Sequence, residues 1–249
     1  MNRIETPFAA VSIVSHGHGG MVVSLVDALL RFPEVQQIIV TRNVPERLDL
    51  VANGRVSVVD NPMAKGFGAN HNEAFAKCGQ PMFCVLNPDI ELRCNPFPGV
   101  VRLLERTDIG LAAPLVQAPD GAIEDSARYF PTLYSLGRKI LLGEEGRYVT
   151  KGGERVFYPD WVAGMFMLFR SSVFRRLGGF DEEFFLYYED VDICARVWQH
   201  GMKVALCTEC AVVHDARRDS RHSLRHLQWH ARSALRYFWK YRGGLSRPR

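Results

Sequence analysis

The sequence predicts an α/β fold with a mostly parallel sheet flanked by helices. Its opening alternates an apolar run at residues 9–15, a glycine-rich turn, an amphipathic stretch at residues 21–31 and a second apolar run at residues 37–41. Strand, turn, helix and strand in this order open a doubly wound sheet. Later apolar runs have the length of buried strands and lie at residues 56–59, 81–86, 109–116, 202–207 and 211–214. Apolar residues make up 47% of the chain, which excludes general disorder.

The C-terminal tail differs in charge from the rest of the chain. Residues 217–249 hold ten Lys or Arg and one acid, a local charge of +9, whereas the whole chain carries +4. We therefore divide the chain into a mildly acidic body, residues 1–216, and a basic tail, residues 217–249. The tail pattern predicts a helix to residue 241 whose apolar face comprises Leu224, Leu227, Ala231, Leu235 and Phe238. Histidines follow another face at four-residue spacing, and we interpret them as solvated rather than metal-bound: His222, His226 and His230.

The composition favours a cytoplasmic protein. No apolar run reaches the length of a membrane span, and the first residues lack the apolar core of a signal peptide. Six cysteines are scattered, several inside apolar runs, which is typical of reduced, buried thiols. Cys207 and Cys210 have zinc-knuckle spacing, but no second pair accompanies them.

The glycine turn after the first strand also fits a dinucleotide-binding fingerprint in part. Gly17 and Gly19 occupy the first two glycine positions, but Val22 stands at the third. Arg42 follows the second strand where an acid would be expected, and an arginine there could suit a 2′-phosphate. An NADP-dependent enzyme is therefore an alternative.

Two later segments place polar groups beside the predicted sheet. Residues 61–72 form a loop entering a helix, and Gly66 and Gly68 would permit a close backbone approach. The apolar strand at residues 81–86 ends in Asn-Pro-Asp, so Asp89 should point into the crevice where α/β sheets bind ligands. The alternative for that tripeptide is an ordinary turn.

The stretch from residue 178 to 196 is the richest in chemistry. It combines carboxylates with an aromatic run, and these acids are Asp181, Glu182, Glu183, Glu189, Asp190 and Asp192. Acids beside aromatic rings are partly desolvated, which raises a carboxyl pKa and suits general-base catalysis. Apolar residues recur at helical spacing after Asp190, so Glu189 and Asp190 should open a helix. An acidic helix cap is the alternative to a catalytic base.

These motifs stand in a fixed order: WVAGMFMLFR at residues 161–170, GGFD at 178–181, YED at 188–190 and a histidine at 214. Together they resemble the nucleotide-sugar glycosyltransferases of family 2, particularly the rhamnosyltransferase-like bacterial members. The resemblance spans about residues 11–241. It implies one domain of the glycosyltransferase A type with a mixed, mostly parallel sheet, a nucleotide half at about 9–89 and an acceptor half at about 90–216.

The resemblance also implies roles for the acidic stretch. Asp190 would take the proton from the acceptor hydroxyl in an inverting, single-displacement transfer. Glu189 and Asp181 would hold the acceptor or orient neighbouring groups. Trp161 and Gly164 would shape the floor under the sugar.

On the donor side, the resemblance implies a nucleotide site and a metal. The nucleotide-binding candidates are Ser15, His16, Arg42, Gly66, Phe67, Asn72 and Asn87. Asp89 and His214 would hold Mg²⁺ or Mn²⁺ at the diphosphate. Asn87 takes the first position of the family's Asp-x-Asp element, which leaves one carboxylate fewer for the cation.

The expected partners follow from the same resemblance. We expect transfer of L-rhamnose from dTDP-rhamnose to a glycan or polyprenyl-linked acceptor in cell-surface polysaccharide synthesis, with residues 126–158 bordering the acceptor site. A catalytically inactive sugar-nucleotide or glycan-binding subunit is the alternative, suggested by Asn87 and Arg42. A basic helix with aromatic residues could lie on an anionic membrane, bind nucleic acid or pack on the body. Since the acceptors are lipid-linked, we favour a peripheral membrane contact and expect no nucleic acid.

Overall fold

The structure, a computed structural model, describes residues 8–142, 154–214 and 224–242. Its helices are α1 (Gly20–Leu29), α2 (Phe67–Phe75), α3 (Phe97–Leu104), α4 (Leu133–Leu142), α5 (Ser171–Leu177), α6 (Glu189–Gln199) and α7 (Leu224–Lys240). Its strands are β1 (Ala9–Ser15), β2 (Val35–Arg42), β3 (Val56–Asp60), β4 (Met82–Leu86), β5 (Ile90–Glu91), β6 (Ile109–Gln117), β7 (Ala127–Arg128), β8 (Val156–Phe157), β9 (Trp161–Val162), β10 (Phe166–Arg170) and β11 (Lys203–His214).

Nine of these strands within the described ranges form one mixed sheet. Its order is β3-β2-β1-β4-β10-β6-β11-β5, with β8 paired to β11. The neighbours β3, β2, β1 and β4 run parallel, and so do β6 and β11, whereas β10 runs antiparallel between β4 and β6. The carboxyl ends of β1, β4, β6 and β11 therefore meet at one edge of the sheet, where open α/β sheets bind ligands.

Side chains on the two sheet faces pack into two separate cores. Val11 and Ile13 of β1 belong to one core with α1 and α3, whereas Ala10 belongs to the other with α2, α5 and α6. Alternation along a strand sends neighbouring residues to opposite faces. Because helices cover both faces, the central strands must be apolar throughout, and all five residues of β4 are buried.

The last strand is longer than the sequence suggests. The apolar runs at residues 202–207 and 211–214 predict two strands, but the structure joins them in β11. The register with β6 shifts between Cys207 and Ala211, so residues 208–210 form a bulge. A bulge lets one strand continue while its polar residues leave the ladder, and β11 thereby delivers His214 to the edge of the sheet.

Helix α7 packs on the body through a face other than the one that carries its leucines. Leu227 and Leu235 are 65% and 72% exposed, whereas Ser233, Ala234 and Tyr237 are buried. Leu227 and Leu235, two residues of the predicted apolar face, therefore do not pack on the body. The Tyr237 ring packs on Tyr188 of the body, at 5.3 Å between ring centroids, so aromatic packing decides the orientation of the helix.

The two described histidines of the tail helix, His226 and His230, have neighbours on the body. His226 Nδ1 lies 2.9 Å from the hydroxyl of Tyr187, and the His230 ring packs against Tyr187 and Tyr188. Both histidines therefore contact the body, and His222 lies outside the described residues. None of the helices in the described ranges combines the length and apolarity needed to cross a bilayer.

Candidate active site

Asp89 and His214 meet at the carboxyl edge of the sheet. The short strand β5 pairs with the end of β11, and this pairing brings His214 opposite Ile90. His214 Nε2 lies 3.2 Å from Asp89 Oδ2, and its Nδ1 lies 2.7 Å from Glu124 Oε2. Glu124 was not predicted from the sequence, since it lies 90 positions from His214 in an otherwise unremarkable turn. The histidine thus bridges two carboxylates.

A cation could bind here through the spare lone pair of Asp89 Oδ1, and through His214 once its Nε2 has released its proton. Burial by itself would lower the pKa of His214, but hydrogen bonding and charge from Asp89 and then Glu124 raise that pKa to about 9. Asp89 Oδ1 is buried and has no hydrogen-bond partner within the described part of the chain. No three His, Cys, Asp or Glu side chains in that part are arranged so that they could hold a metal ion by themselves. A hard cation at Asp89 and His214 would therefore need further ligands from a bound molecule.

The segment before α6 has an unusual backbone. Tyr187 and Tyr188 both adopt left-handed conformations, with φ of +71° and +68°. A non-glycine residue in this region costs about 1–3 kcal/mol and persists only where its surroundings hold it. Burial of Tyr188 and the contact of Tyr187 with His226 supply that support. The turn places Glu189 and Asp190 as the first two residues of α6.

The two acids of this turn differ in their surroundings. Asp190 accepts hydrogen bonds from the amides of Gly164, at 3.1 Å, and Val191, at 2.8 Å. Burial raises the pKa of Asp190, and those two amides oppose the increase. Glu189 is buried, its Oε2 has no partner among the described residues, and burial followed by the charge of Asp190 raises its pKa well above the ordinary range. The two amides therefore favour the ionised form of Asp190, whereas burial and the charge of Asp190 favour the neutral form of Glu189.

Gly164 lies between Asp190 and the loop that enters α2. A Cβ at Gly164 would lie 3.1 Å from the ring of Phe67 and 3.8 Å from the Asp190 Cβ, so a larger residue would displace the ring. The Trp161 indole donates to the Tyr129 carbonyl at 2.9 Å. Gly164 and Trp161, both predicted as floor residues, thus lie on the segment that supports Asp190.

Gly66 and Phe67 join the two halves of the site. The Phe67 amide donates to the Phe185 carbonyl at 2.9 Å, and a Cβ on Gly66 would lie 2.6 Å from the same oxygen. Only glycine permits this approach. The loop that enters α2 is therefore in direct contact with the acidic segment that carries Asp190.

With this geometry established, comparison with known proteins decides the family. The family model described as Glycosyl transferase family group 2 matches residues 95–245, more than half of the chain.

The chain belongs to glycosyltransferase family 2.

Individual relatives agree with the family. The chain is 27% identical to the rhamnosyltransferase WbbL of Escherichia coli (strain K12), over 93% of each chain. It is 28% identical to an N-acetylglucosaminyl-diphospho-decaprenol L-rhamnosyltransferase of Mycobacterium tuberculosis (strain H37Rv), over 68% of this chain and 62% of that protein. The rhamnosyltransferase-like resemblance of the sequence is therefore confirmed.

Solved structures confirm the fold. The crystal structure of GalNAc-T7 with UDP, GalNAc and Mn²⁺ covers 93% of this chain and 48% of that one, with a TM-score of 0.70 and 16% identity. The mannosyltransferase PcManGT of Pyrobaculum calidifontis, in complex with GDP-Man and Mn²⁺, covers 98% of this chain and 67% of that one, with a TM-score of 0.65 and 12% identity. The predicted fold of the glycosyltransferase A type, with its mixed, mostly parallel sheet, is confirmed.

Side-chain amides that were not predicted from the sequence hold the loop before α2, residues 61–66, in place. The Asn61 side chain donates to Asn43 Oδ1 at 2.9 Å and to Asn70 Oδ1 at 2.6 Å. Asn43 and Asn70 donate in turn to the carbonyls of Lys65 and Gly66. The network fixes the loop against the ends of β2 and β3. The available signal was an asparagine directly after each of two strands, Asn43 and Asn61, and a third, Asn70, in the following helix.

The residues at the end of β1 surround a carboxylate. Glu46 accepts hydrogen bonds from the amides of Gly17, at 3.1 Å, and Gly19, at 3.0 Å. Burial would raise the pKa of Glu46, but hydrogen bonds from Ser15 and these two amides lower it. His16 lies beside the network through Asn43, 3.3 Å from its side-chain nitrogen. Ser15 and His16 therefore lie together at the carboxyl edge, with Glu46 as an unpredicted neighbour.

Two predicted nucleotide contacts have partners within the protein. Arg42 forms an ion pair with Asp60 and donates to the Glu46 carbonyl at 3.0 Å. Because Asp60 engages this arginine, the dinucleotide-binding alternative loses its main support. Asn72 donates to the Phe180 carbonyl at 2.9 Å and accepts from the Phe180 amide at 2.8 Å, which ties α2 to the acidic segment. Asn87 directly follows β4, and its backbone amide donates to the Met165 carbonyl at 2.9 Å.

Asp181 and Asp192 connect the acidic segment to α7. Asp181 lies 3.0 Å from Arg236 and 2.7 Å from Lys240. Asp192 is fully buried and contacts Lys240 at 2.6 Å, the Tyr241 hydroxyl at 2.8 Å and Arg196 at 2.8 Å. Of the two functions predicted for Asp181, these contacts match the orienting one. Ion pairs and a hydrogen bond therefore hold the basic tail helix against the segment that carries Asp190.

Proposed function

We propose that this glycosyltransferase moves a sugar from a nucleotide diphosphate donor to an acceptor hydroxyl with inversion at the anomeric carbon. The observation that carries the proposal is the setting of Asp190. Two amides hold its carboxylate next to Gly164, and burial raises its pKa. A base with a raised pKa can accept the acceptor's proton as that oxygen attacks.

The donor would bind along the carboxyl edge of β1, β2 and β4. Ser15 and His16 lie at the end of β1, and the loop with Gly66 and Phe67 closes the other side. Ordered amides of this loop would contact the nucleotide. Because Phe67 contacts the Phe185 carbonyl, a donor held by this loop would lie next to the acidic segment.

Asp89 and His214 would hold a divalent cation, Mg²⁺ or Mn²⁺, with diphosphate oxygens as its other ligands. The unpartnered Asp89 Oδ1 supports this assignment, as does the Mn²⁺ in both similar solved structures. Such a cation supplies charge stabilisation for the departing diphosphate. Glu124 would orient the His214 ring from behind, as carboxylates do for metal-binding histidines.

The names of two relatives suggest the class of donor and of acceptor. Two of them are named rhamnosyltransferases, and one acts on a diphospho-decaprenol acceptor by name. We therefore propose dTDP-rhamnose as the donor and a glycan on a polyprenyl diphosphate as the acceptor, in cell-surface polysaccharide synthesis.

The outer face of α7 supports a peripheral membrane contact. Leu227, Leu235 and Trp239 are each about two-thirds exposed, and Arg225 and Arg232 are exposed beside them. An amphipathic helix of this kind binds an anionic membrane through its apolar stripe and its cations. A membrane there would also hold a lipid-linked acceptor near the body.

The direct test is release of dTDP from dTDP-rhamnose by the purified chain with Mn²⁺ and a polyprenyl-diphosphate-linked acceptor. We expect turnover that requires both the acceptor and the cation. A chain that binds dTDP-sugars, as judged by thermal shift, yet transfers nothing to any acceptor would instead be the inactive binding subunit. At a ligand concentration of 100 Kd, binding stabilises the fold by about 2.7 kcal/mol, which such a screen detects readily.

A further inference from the structure

A cavity of about 590 Å³ lies between α7 and the segment that precedes α4. Residues 129–133 form one wall, and the last turn of α7 with the residues after it forms the other. This volume falls within the range of small-molecule sites. The cavity contains none of the residues assigned to the donor, the cation or the base.

The lining is chiefly apolar and aromatic. Phe130, Leu133 and Phe238 offer no hydrogen-bonding side chain to a ligand. Two polar groups of the lining have partners within the protein: Asp160 Oδ2 accepts from the Phe130 amide at 2.7 Å, and the Tyr241 hydroxyl donates to Asp192 at 2.8 Å. The Tyr237 ring is 1% exposed, and its hydroxyl has no partner among the residues described. A glycan would leave several polar groups unpaired against such walls, at a cost of about 1–3 kcal/mol for each group. A hydrocarbon chain fits the lining better.

The cavity lies close to the catalytic segment. Tyr237 lines the cavity and packs on Tyr188, which directly precedes Glu189 and Asp190 in the chain. Phe130 lines the same cavity and packs against this aromatic cluster. One layer of aromatic side chains therefore separates the cavity from the segment that carries the base.

Its surroundings provide an apolar surface and a cation. Leu133 and Tyr134 are 71% and 74% exposed on one side, and Trp239 is 66% exposed on the other. Arg242 lines the cavity, is exposed, and lies over the Trp239 ring at 5.1 Å. An exposed arginine beside an apolar cavity complements a phosphate group attached to a hydrocarbon chain.

We propose that this cavity binds the first isoprene units of a lipid acceptor, with Arg242 contacting its phosphate. The proposal rests on the proposed function for the sugar end of that acceptor. The cavity then determines the lipid specificity: the enzyme distinguishes a glycan on a polyprenyl diphosphate from a free glycan before any chemistry occurs.

The test is calorimetric titration of the full chain with farnesyl phosphate, a short soluble probe, and with inorganic phosphate as the chain-free control. We expect farnesyl phosphate to bind and inorganic phosphate not to compete with it. Leu133→Asp should weaken binding at least tenfold, about 1.4 kcal/mol. The matched control is Val51→Asp, an exposed apolar residue outside both the cavity and α7, which should bind as the unaltered chain does.

A second variant addresses the phosphate. Arg242→Glu should weaken farnesyl phosphate but leave neutral farnesol unaffected. Equal affinity of Leu133→Asp and the unaltered chain for farnesyl phosphate, or no binding by the unaltered chain, would overturn the proposal.

The two proposals fail separately. Transfer to a chain-free acceptor without farnesyl phosphate binding would remove the cavity proposal and leave the proposed function. Farnesyl phosphate binding that depends on the cavity, in a chain that transfers no sugar, would remove the proposed function and leave the cavity proposal.

Discussion

Replacing Asp190 with Asn should remove sugar transfer while the chain stays folded. Asn has nearly the same shape and keeps one oxygen to accept from the Gly164 or Val191 amide, which now hold the two carboxylate oxygens. Losing one of these bonds costs about 0.5–1.5 kcal/mol. Removing a buried charge beside Glu189 offsets part of that loss. We therefore expect a change in unfolding free energy within about 1 kcal/mol, measured by urea denaturation.

The expected effect on transfer is much larger. General-base catalysis contributes about 10²–10⁴-fold, or about 2.7–5.5 kcal/mol of activation free energy. The loss should fall on kcat rather than on donor affinity, because Asp190 has no predicted contact with the nucleotide. Initial rates of dTDP release and the Kd of dTDP give these two quantities separately.

Glu189→Gln is the matched control. Glu189 is buried and its pKa is raised well above the ordinary range, so its neutral form resembles glutamine in shape and charge. We expect Glu189→Gln to retain most of the transfer activity.

The pH dependence supplies a second readout. A base acts only when deprotonated, and burial raises the pKa of Asp190. Activity should therefore fall as the pH decreases through that raised pKa, at a higher pH than for an exposed aspartate. This acidic limb should be absent from the residual activity of Asp190→Asn. Near-normal kcat in a folded Asp190→Asn variant, or equal losses in both variants, would refute the assignment of the base.

Three further predictions concern the cation site, the contact between Tyr241 and Asp192, and the membrane-binding face of α7. Asp89→Ala should remove the Mn²⁺-dependent increment in dTDP affinity, and calorimetry that finds this increment intact would place the cation elsewhere. Tyr241→Phe should lower the unfolding free energy by about 1–2 kcal/mol because buried Asp192 loses a donor; an unchanged urea midpoint would contradict this contact. Reversing the charges of Arg225 and Arg232 should weaken sedimentation with anionic vesicles, since each cation contributes about 1 kcal/mol at such a surface. Undiminished sedimentation of the folded variant would argue against a membrane contact through this face.

The buried strands and helix α6 could be predicted from local pattern. A strand buried on both faces must be apolar along its whole length, so β1 and β4 are visible as short apolar runs. The apolar period after Asp190 correctly placed the beginning of α6. Asp89 could be placed at the sheet edge because it closely follows such a strand.

Contacts between distant residues could not be predicted in this way. Glu124 and His214 are 90 positions apart, and Asp181 and Arg236 are 55 apart, so no local period relates them. The left-handed backbone at Tyr187 and Tyr188 is another example. Tyrosine does not favour that conformation, and only burial and packing hold it there.

The orientation of α7 shows most clearly which properties depend on the sequence alone and which depend on the tertiary structure. Its sequence alone determined that the segment is helical, basic and amphipathic, because these properties depend on residue type and spacing. Which face packs on the body depended on the partners available. The body offers Tyr188 for stacking and Asp181 and Asp192 for ion pairs, so Tyr237 and Lys240 turn inward. Leu235 is left in solvent because a single rigid helix cannot bury opposite faces against one surface.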